Sequence, residues 1–152
     1  MLIKRKKTAC FLGEKRINHS AMVYFVADKL LKNGIDSFVF SADTFFCLES
    51  AMQVILLRKK QCGNIVPKIK LTGVIPYETH VNFRTEKYRN MYFDVMEKCD
   101  ETICFDEEEH YVAADFSEFI LNRSSILICP EKGAEYEKLY AAATGIKIIG
   151  IP

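Results

Sequence analysis

Residues 125–151 read SILICPEKGAEYEKLYAAATGIKIIGI. Ile126 to Cys129 is a short, β-branched, continuously apolar run, which suits a strand covered on both faces. Pro130-Glu131-Lys132-Gly133 breaks it. Ala134 to Thr144 has helix-forming composition and stops at Gly145, a residue that favours helix ends. Ile146 to Ile151 is apolar again. Strand, helix and strand within 27 residues form one β-α-β unit, which calls for parallel strands joined by a crossover helix.

The same alternation extends upstream. Thr8–Leu12, Ser37–Phe40, Ile69–Ile75 and Glu101–Phe105 are further strand-like runs. Helical spacing covers about His19 to Lys32, with Met22, Phe25, Val26, Leu30 and, less well, Lys29 on one stripe, Asn18 or Ser20 as cap, and Asn33-Gly34 as stop. It recurs over Phe45 to Gln61, which stops near Gly63. A third stretch runs from Asn82 to Lys98, with Phe83, Tyr88, Met91, Tyr92 and Val95 as its apolar members. A fourth is Ala113 to Asn122. The fold expected is therefore α/β: a Rossmann-like three-layer α/β/α domain over residues 1–152, around a mainly parallel sheet of about six strands. Right-handed crossovers follow as the default.

The bulk chemistry excludes several functions. The formal net charge is +1, which gives no electrostatic case for nucleic acid or an anionic membrane. Lys4, Arg5, Lys6 and Lys7 read as a solvated lead-in to the first strand. No stretch approaches the roughly 20 apolar residues of a membrane span. Thr8 to Leu12 is too short for a signal-peptide core. Among six cysteines there is no CxxC pair and no zinc spacing. Cys10, Cys104 and Cys129 fall in apolar runs and read as buried, reduced thiols in a cytoplasmic protein. The acidic run Asp106 to Glu109 reads as an exposed loop rather than a metal site, and no cofactor or metal is identified. A homo-oligomer stays open.

In open parallel sheets the ligand crevice lies beyond the carboxyl ends of the strands, where the strand order reverses. Five loops qualify: Gly13-Glu14-Lys15-Arg16, Ser41-Ala42-Asp43-Thr44, Pro76-Tyr77-Glu78-Thr79-His80, the acidic loop to Tyr111, and Pro130 to Ala134. Gly13 permits close backbone approach, and Lys15 and Arg16 can pair with a phosphate. Lys132-Gly133-Ala134 opens a helix whose free N–H groups suit an anion. The ligand-binding set expected is Gly13, Glu14, Lys15, Arg16, Ser41, Ala42, Asp43, Pro76, Tyr77, Lys132, Gly133 and Ala134.

The order Phe11 to Arg16, Phe40 to Arg58, Leu71 to Pro76 and Ser125 to Ile151 resembles the YpsA-like branch of the SLOG superfamily, which groups the Smf/DprA proteins with LOG-type phosphoribohydrolases. The resemblance implies a Rossmann-like fold and a nucleotide or nucleotide-derived ligand. Gly13 and Arg16 match the family's first loop, Pro76 its third, and Gly133 and Tyr136 its last turn. Departures cluster after the second strand. There Phe40-Ser41-Ala42-Asp43-Thr44-Phe45-Phe46-Cys47 stands for a stretch with three glycines, and Cys47 replaces an acidic residue.

Three functions follow. The first is a binding module for a nucleotide-like small molecule, without strong catalysis. The second is a nucleoside-monophosphate glycosidic hydrolase, for which Glu135, Glu137 and Glu49 are the carboxylate candidates. The third is a non-binding interaction protein on a decayed nucleotide-binding scaffold, motivated by the lost glycines and favoured if Phe45 and Phe46 fill the crevice. Cys47 reads as inert, since no histidine is its neighbour in sequence. Arg84, Lys87, Tyr88, Arg89 and Tyr92 read as a helix that packs through its tyrosines.

Overall fold

The computed structural model describes residues 7–14, 20–61, 68–106 and 112–152. Strands and helices alternate throughout: β1 Thr8–Phe11, α1 Ala21–Lys32, β2 Ser37–Ser41, α2 Phe45–Lys60, β3 Lys70–Tyr77, α3 Glu86–Met96, β4 Glu101–Asp106, α4 Ala113–Leu121, β5 Ile126–Pro130, α5 Glu135–Thr144 and β6 Lys147–Ile151. All strand pairs are parallel, and the order is β4-β3-β2-β1-β5-β6. This is the Rossmann-like three-layer α/β/α fold. The chain steps outward from β1 to β4, then returns to the far side of β1 for β5 and β6. Strand order therefore reverses between β1 and β5.

Side-chain alternation along each strand builds two cores. Ala9, Phe11, Phe38, Phe40, Leu71 and Ile128 face α1, α2 and α3. Cys10, Leu12, Val39, Val74, Leu127 and Cys129 face α4 and α5. Helices on the outward path lie on one face, and those after the reversal lie on the other. Right-handed crossovers produce that division.

Several details depart from the sequence reading. The buried stripe of α1 is Val23, Ala27, Leu30 and Leu31, while Met22 and Phe25 are exposed. Leu30 is common to both stripes, while Val23 and Ala27 take the inward places expected for Met22 and Phe25. The α3 helix starts at Glu86, not Asn82, because Thr85 caps it by accepting from the Tyr88 N–H. The preceding segment makes single turns instead, with His80 N–H on Tyr77 O and Asn82 N–H on Thr79 O, and Phe83 is exposed. Cys104 is also exposed, because β4 is an edge strand paired only with β3.

The β3 strand continues through Pro76 and Tyr77. Backbone groups in a parallel strand point alternately to its two neighbours. Val74 O takes the Ala42 N–H beside β2, so Pro76 faces that same side, beyond the end of β2. Its missing N–H breaks no ladder bond there.

Candidate functional site

A crevice of about 580 Å³ opens at the carboxyl ends of β1 and β2, on the face that carries α4 and α5. Its size is that of a small-molecule site. Leu12, Gly13 and Glu14 contribute from the end of β1, and Ser41, Asp43 and Thr44 from the end of β2. The opposite wall comes from Ala113, Phe116 and Ser117 of α4 and from the segment Gly133–Glu137 at the start of α5.

Each wall is fixed by its own hydrogen bonds. Thr44 caps α2 by accepting from the Cys47 N–H at 3.3 Å, and its hydroxyl donates to Gly13 O at 2.7 Å. One side chain thus ties the β1 loop to the α2 start. Gly13 has φ +135°. Few side chains adopt that conformation, and a Cβ there would overlap Pro130 Cδ. The β1 loop and the end of β5 can approach closely only because residue 13 is glycine.

Asp43 is held from outside the crevice. Arg84 Nη2 donates to both the backbone oxygen and Oδ1 of Asp43, each at 2.7 Å, and its guanidinium lies 4.5 Å over the Tyr88 ring. Burial pushes the Asp43 carboxyl above its ordinary value, while Arg84 and His80 pull it back. Tyr88 donates its hydroxyl to Ala42 O at 2.8 Å. The His80 ring lies buried between Ala42 O, 2.9 Å from Nε2, and Tyr77 O, 3.1 Å from Nδ1. These contacts fix the backbone of the β2 loop in place of the glycines that the resemblance implies.

At the start of α5, Gly133 has φ +92° and Ala134 φ +53°. An alanine in the left-handed region costs roughly 1–2 kcal/mol. No side chain caps this helix. Within the same wall, Glu137 of its first turn is met by Ser117, whose hydroxyl donates to Oε1 at 3.0 Å.

Of the residues expected from sequence, Gly13, Glu14, Ser41, Asp43, Gly133 and Ala134 line the crevice, together with Glu135 and Glu137. Ala42, Pro76, Tyr77, Lys132 and Glu49 do not. Ala42 is fully buried against the other face of the sheet, and Lys132 is exposed. Lys15 and Arg16 lie outside the described residues, as do His19, Cys62, Gly63 and the acidic loop from Glu107 to Tyr111. Thr44, Phe116, Ser117 and Tyr136 were not among the expected residues. The α4 residues reach the crevice through a long crossover and carry no local sign of it.

The two phenylalanines do not fill the space. Phe46 is fully buried in the core beneath Gly13, and Phe45 packs edge-on against Tyr88 at 5.0 Å. Cys47 is likewise buried, its thiol donates to Phe11 O at 3.3 Å, and burial pushes its pKa up to about 12. Both His80 ring nitrogens face carbonyl oxygens, so His80 is not the base of a Cys47 nucleophile. Tyr88 and Tyr92 are buried, so α3 packs through its tyrosines.

No protein-family model matches the chain, and no curated protein does so. Among the described residues, no three His, Cys, Asp or Glu side chains converge as a metal cluster. Nor is any described helix long and apolar enough to cross a membrane.

Proposed function

We propose that this protein binds a nucleotide or nucleotide-derived small molecule at the carboxyl ends of its strands, as a divergent member of the YpsA-like branch of the SLOG superfamily. One observation carries the reading. The crevice coincides with the reversal of strand order between β1 and β5, where open parallel sheets take their ligands. Gly13 and Gly133, the two glycines shared with the family's loops, both border it. The rings of Phe45 and Phe46 lie elsewhere and leave the crevice open to a ligand. Five described cysteines, all free, fit a reducing cytosol.

Thermal unfolding of the chain with nucleosides, mononucleotides, dinucleotides and ADP-ribose at millimolar concentration tests the reading. A ligand present at many times its Kd raises the melting temperature. At least one member of the panel is expected to do so, and no shift with any of them overturns the proposal.

A second reading, glycosidic cleavage of a nucleoside monophosphate, has one observation in its favour. Glu137 is the only one of the three carboxylate candidates that both lines the crevice and is oriented there by a described hydroxyl, that of Ser117. Release of free base from AMP-type substrates, abolished by Glu137→Gln, would support it. Undiminished release in that variant removes the assignment.

A further inference from the structure

The sequence suggests phosphate recognition, but the described walls of the crevice are acidic. Glu14 stands at the end of β1 and Glu135 and Glu137 in the first turn of α5, while the Asp43 carboxylate at the end of β2 is paired with Arg84. Among the described lining residues there is no lysine or arginine, and Arg84 is already committed to Asp43. Phosphate sites on helix starts use free N–H groups and the positive end of the helix dipole. Here α2 is capped by Thr44, and α5 carries two carboxylates of its own at that end.

Ser41 adds an independent observation. It is 4% exposed, borders the crevice, and its hydroxyl has no hydrogen bond among the described residues. It follows Val39 on the α4–α5 face of the sheet. Among the described residues the only side-chain oxygen shut away without a partner is Ser50 Oγ, so the unbonded Ser41 hydroxyl reaches the crevice surface, where it can meet a group that enters. Carboxylates only accept hydrogen bonds when ionised, whereas a hydroxyl both donates and accepts. The walls therefore call for a ligand rich in donors and poor in negative charge.

On the reading of the preceding subsection, we infer that the ligand is a phosphate-poor nucleoside derivative. Its ribose hydroxyls or exocyclic amine donate to Glu137 and the neighbouring carboxylates, and Ser41 completes its hydrogen bonds from below. Nucleoside di- and triphosphates are disfavoured, because each added phosphate brings negative charge against the acidic wall.

Calorimetric titration of the whole chain with adenosine, AMP, ADP and ATP, and with the cytidine series, at fixed ionic strength and without divalent cations, tests this. In at least one series the nucleoside is expected to bind at least as tightly as its monophosphate, with each further phosphate weakening binding about three- to tenfold. Affinity that rises with phosphate number overturns the inference and leaves nucleotide binding standing. Binding of dinucleotides or ADP-ribose alone does the same. No binding by any of these compounds overturns both. Glu14 is exposed, so Glu14→Gln is not expected to disturb folding, and it should narrow the gap between nucleoside and triphosphate at least twofold. An unchanged gap in both Glu14→Gln and Glu137→Gln overturns the acidic wall as its cause.

Discussion

Ser117 Oγ of α4 donates to Glu137 Oε1 of α5 at 3.0 Å, directly on the crevice. The pair belongs to a short ladder between the two helices. From the α5 side, Tyr136 donates to Glu118 at 3.0 Å and Tyr140 to Asn122, at the end of α4, at 2.7 Å. The exposed rungs join the helices, and the part-buried one also aims a carboxylate. Removal of the Ser117 hydroxyl frees Glu137 without removing its charge. Ser117→Ala is expected to weaken nucleoside binding about three- to tenfold, while stability falls by only about 1 kcal/mol. Titration and urea unfolding of the same preparation separate the two effects. A stability loss with unchanged affinity would make Ser117 structural only.

Gly13 gives a sharper test of the geometry. Its φ of +135° and the Pro130 ring against its α-carbon leave no room for a side chain. Gly13→Ala must strain the backbone and also push Pro130 away. The expected loss is about 2–4 kcal/mol, read from the urea midpoint at constant slope. A loss under about 1 kcal/mol would show that the β1 loop and the end of β5 do not meet as described.

Strands and crossovers were legible because each relies on local signals: apolar runs, helix stops and the alternation between them. The crevice lies at the reversal of strand order that the topology sets, bordered by the loops after β1, β2 and β5. What sequence could not supply was direction. Ala42 and Asp43 are neighbours, yet one is buried in the core and the other borders the crevice, with its carboxylate held by Arg84. Pro76 and Tyr77 read as the start of a loop but extend β3, because Tyr77 still pairs with Asp106 of β4 after β2 has ended. Phe45 and Phe46 looked able to plug the pocket, but helix phase turns both away from it. Ser117 had no sequence signal, since it becomes a site residue only when α4 crosses the sheet to meet α5.

Asp43 makes a pH-dependent contribution whose sign can be worked out. Burial raises its carboxyl above the ordinary 3.8, because a partly exposed Arg84 offsets the desolvation incompletely. Between 3.8 and that raised value, the folded protein binds more protons than the unfolded chain. Stability then falls as pH rises through the window. Asp43→Asn removes the titration. The stability of the wild type relative to Asp43→Asn should therefore decline as pH increases from about 3, and level off once the carboxylate is ionised in both states. Urea unfolding of both proteins across that range checks it. A relative stability that grows with pH would mean that Arg84 outweighs burial.

Cys47 and Cys104 should differ strongly in reactivity, which tests whether the α2 start holds a usable nucleophile. Thiols react as thiolates. With a pKa of about 12, Cys47 is ionised in only about one molecule in ten thousand at pH 8. Its sulfur is also buried and donates to Phe11 O. Cys104 lies exposed on the edge strand β4, its thiol turned to Asp106 O at 3.2 Å. Iodoacetamide at pH 8 should therefore modify Cys104 at least a hundredfold faster than Cys47, as followed by peptide mass mapping over time. In urea the two rates should converge, because unfolding removes the burial that suppresses Cys47. Comparable rates in the folded protein would place Cys47 in contact with solvent, and would reopen it as a nucleophile at the start of α2.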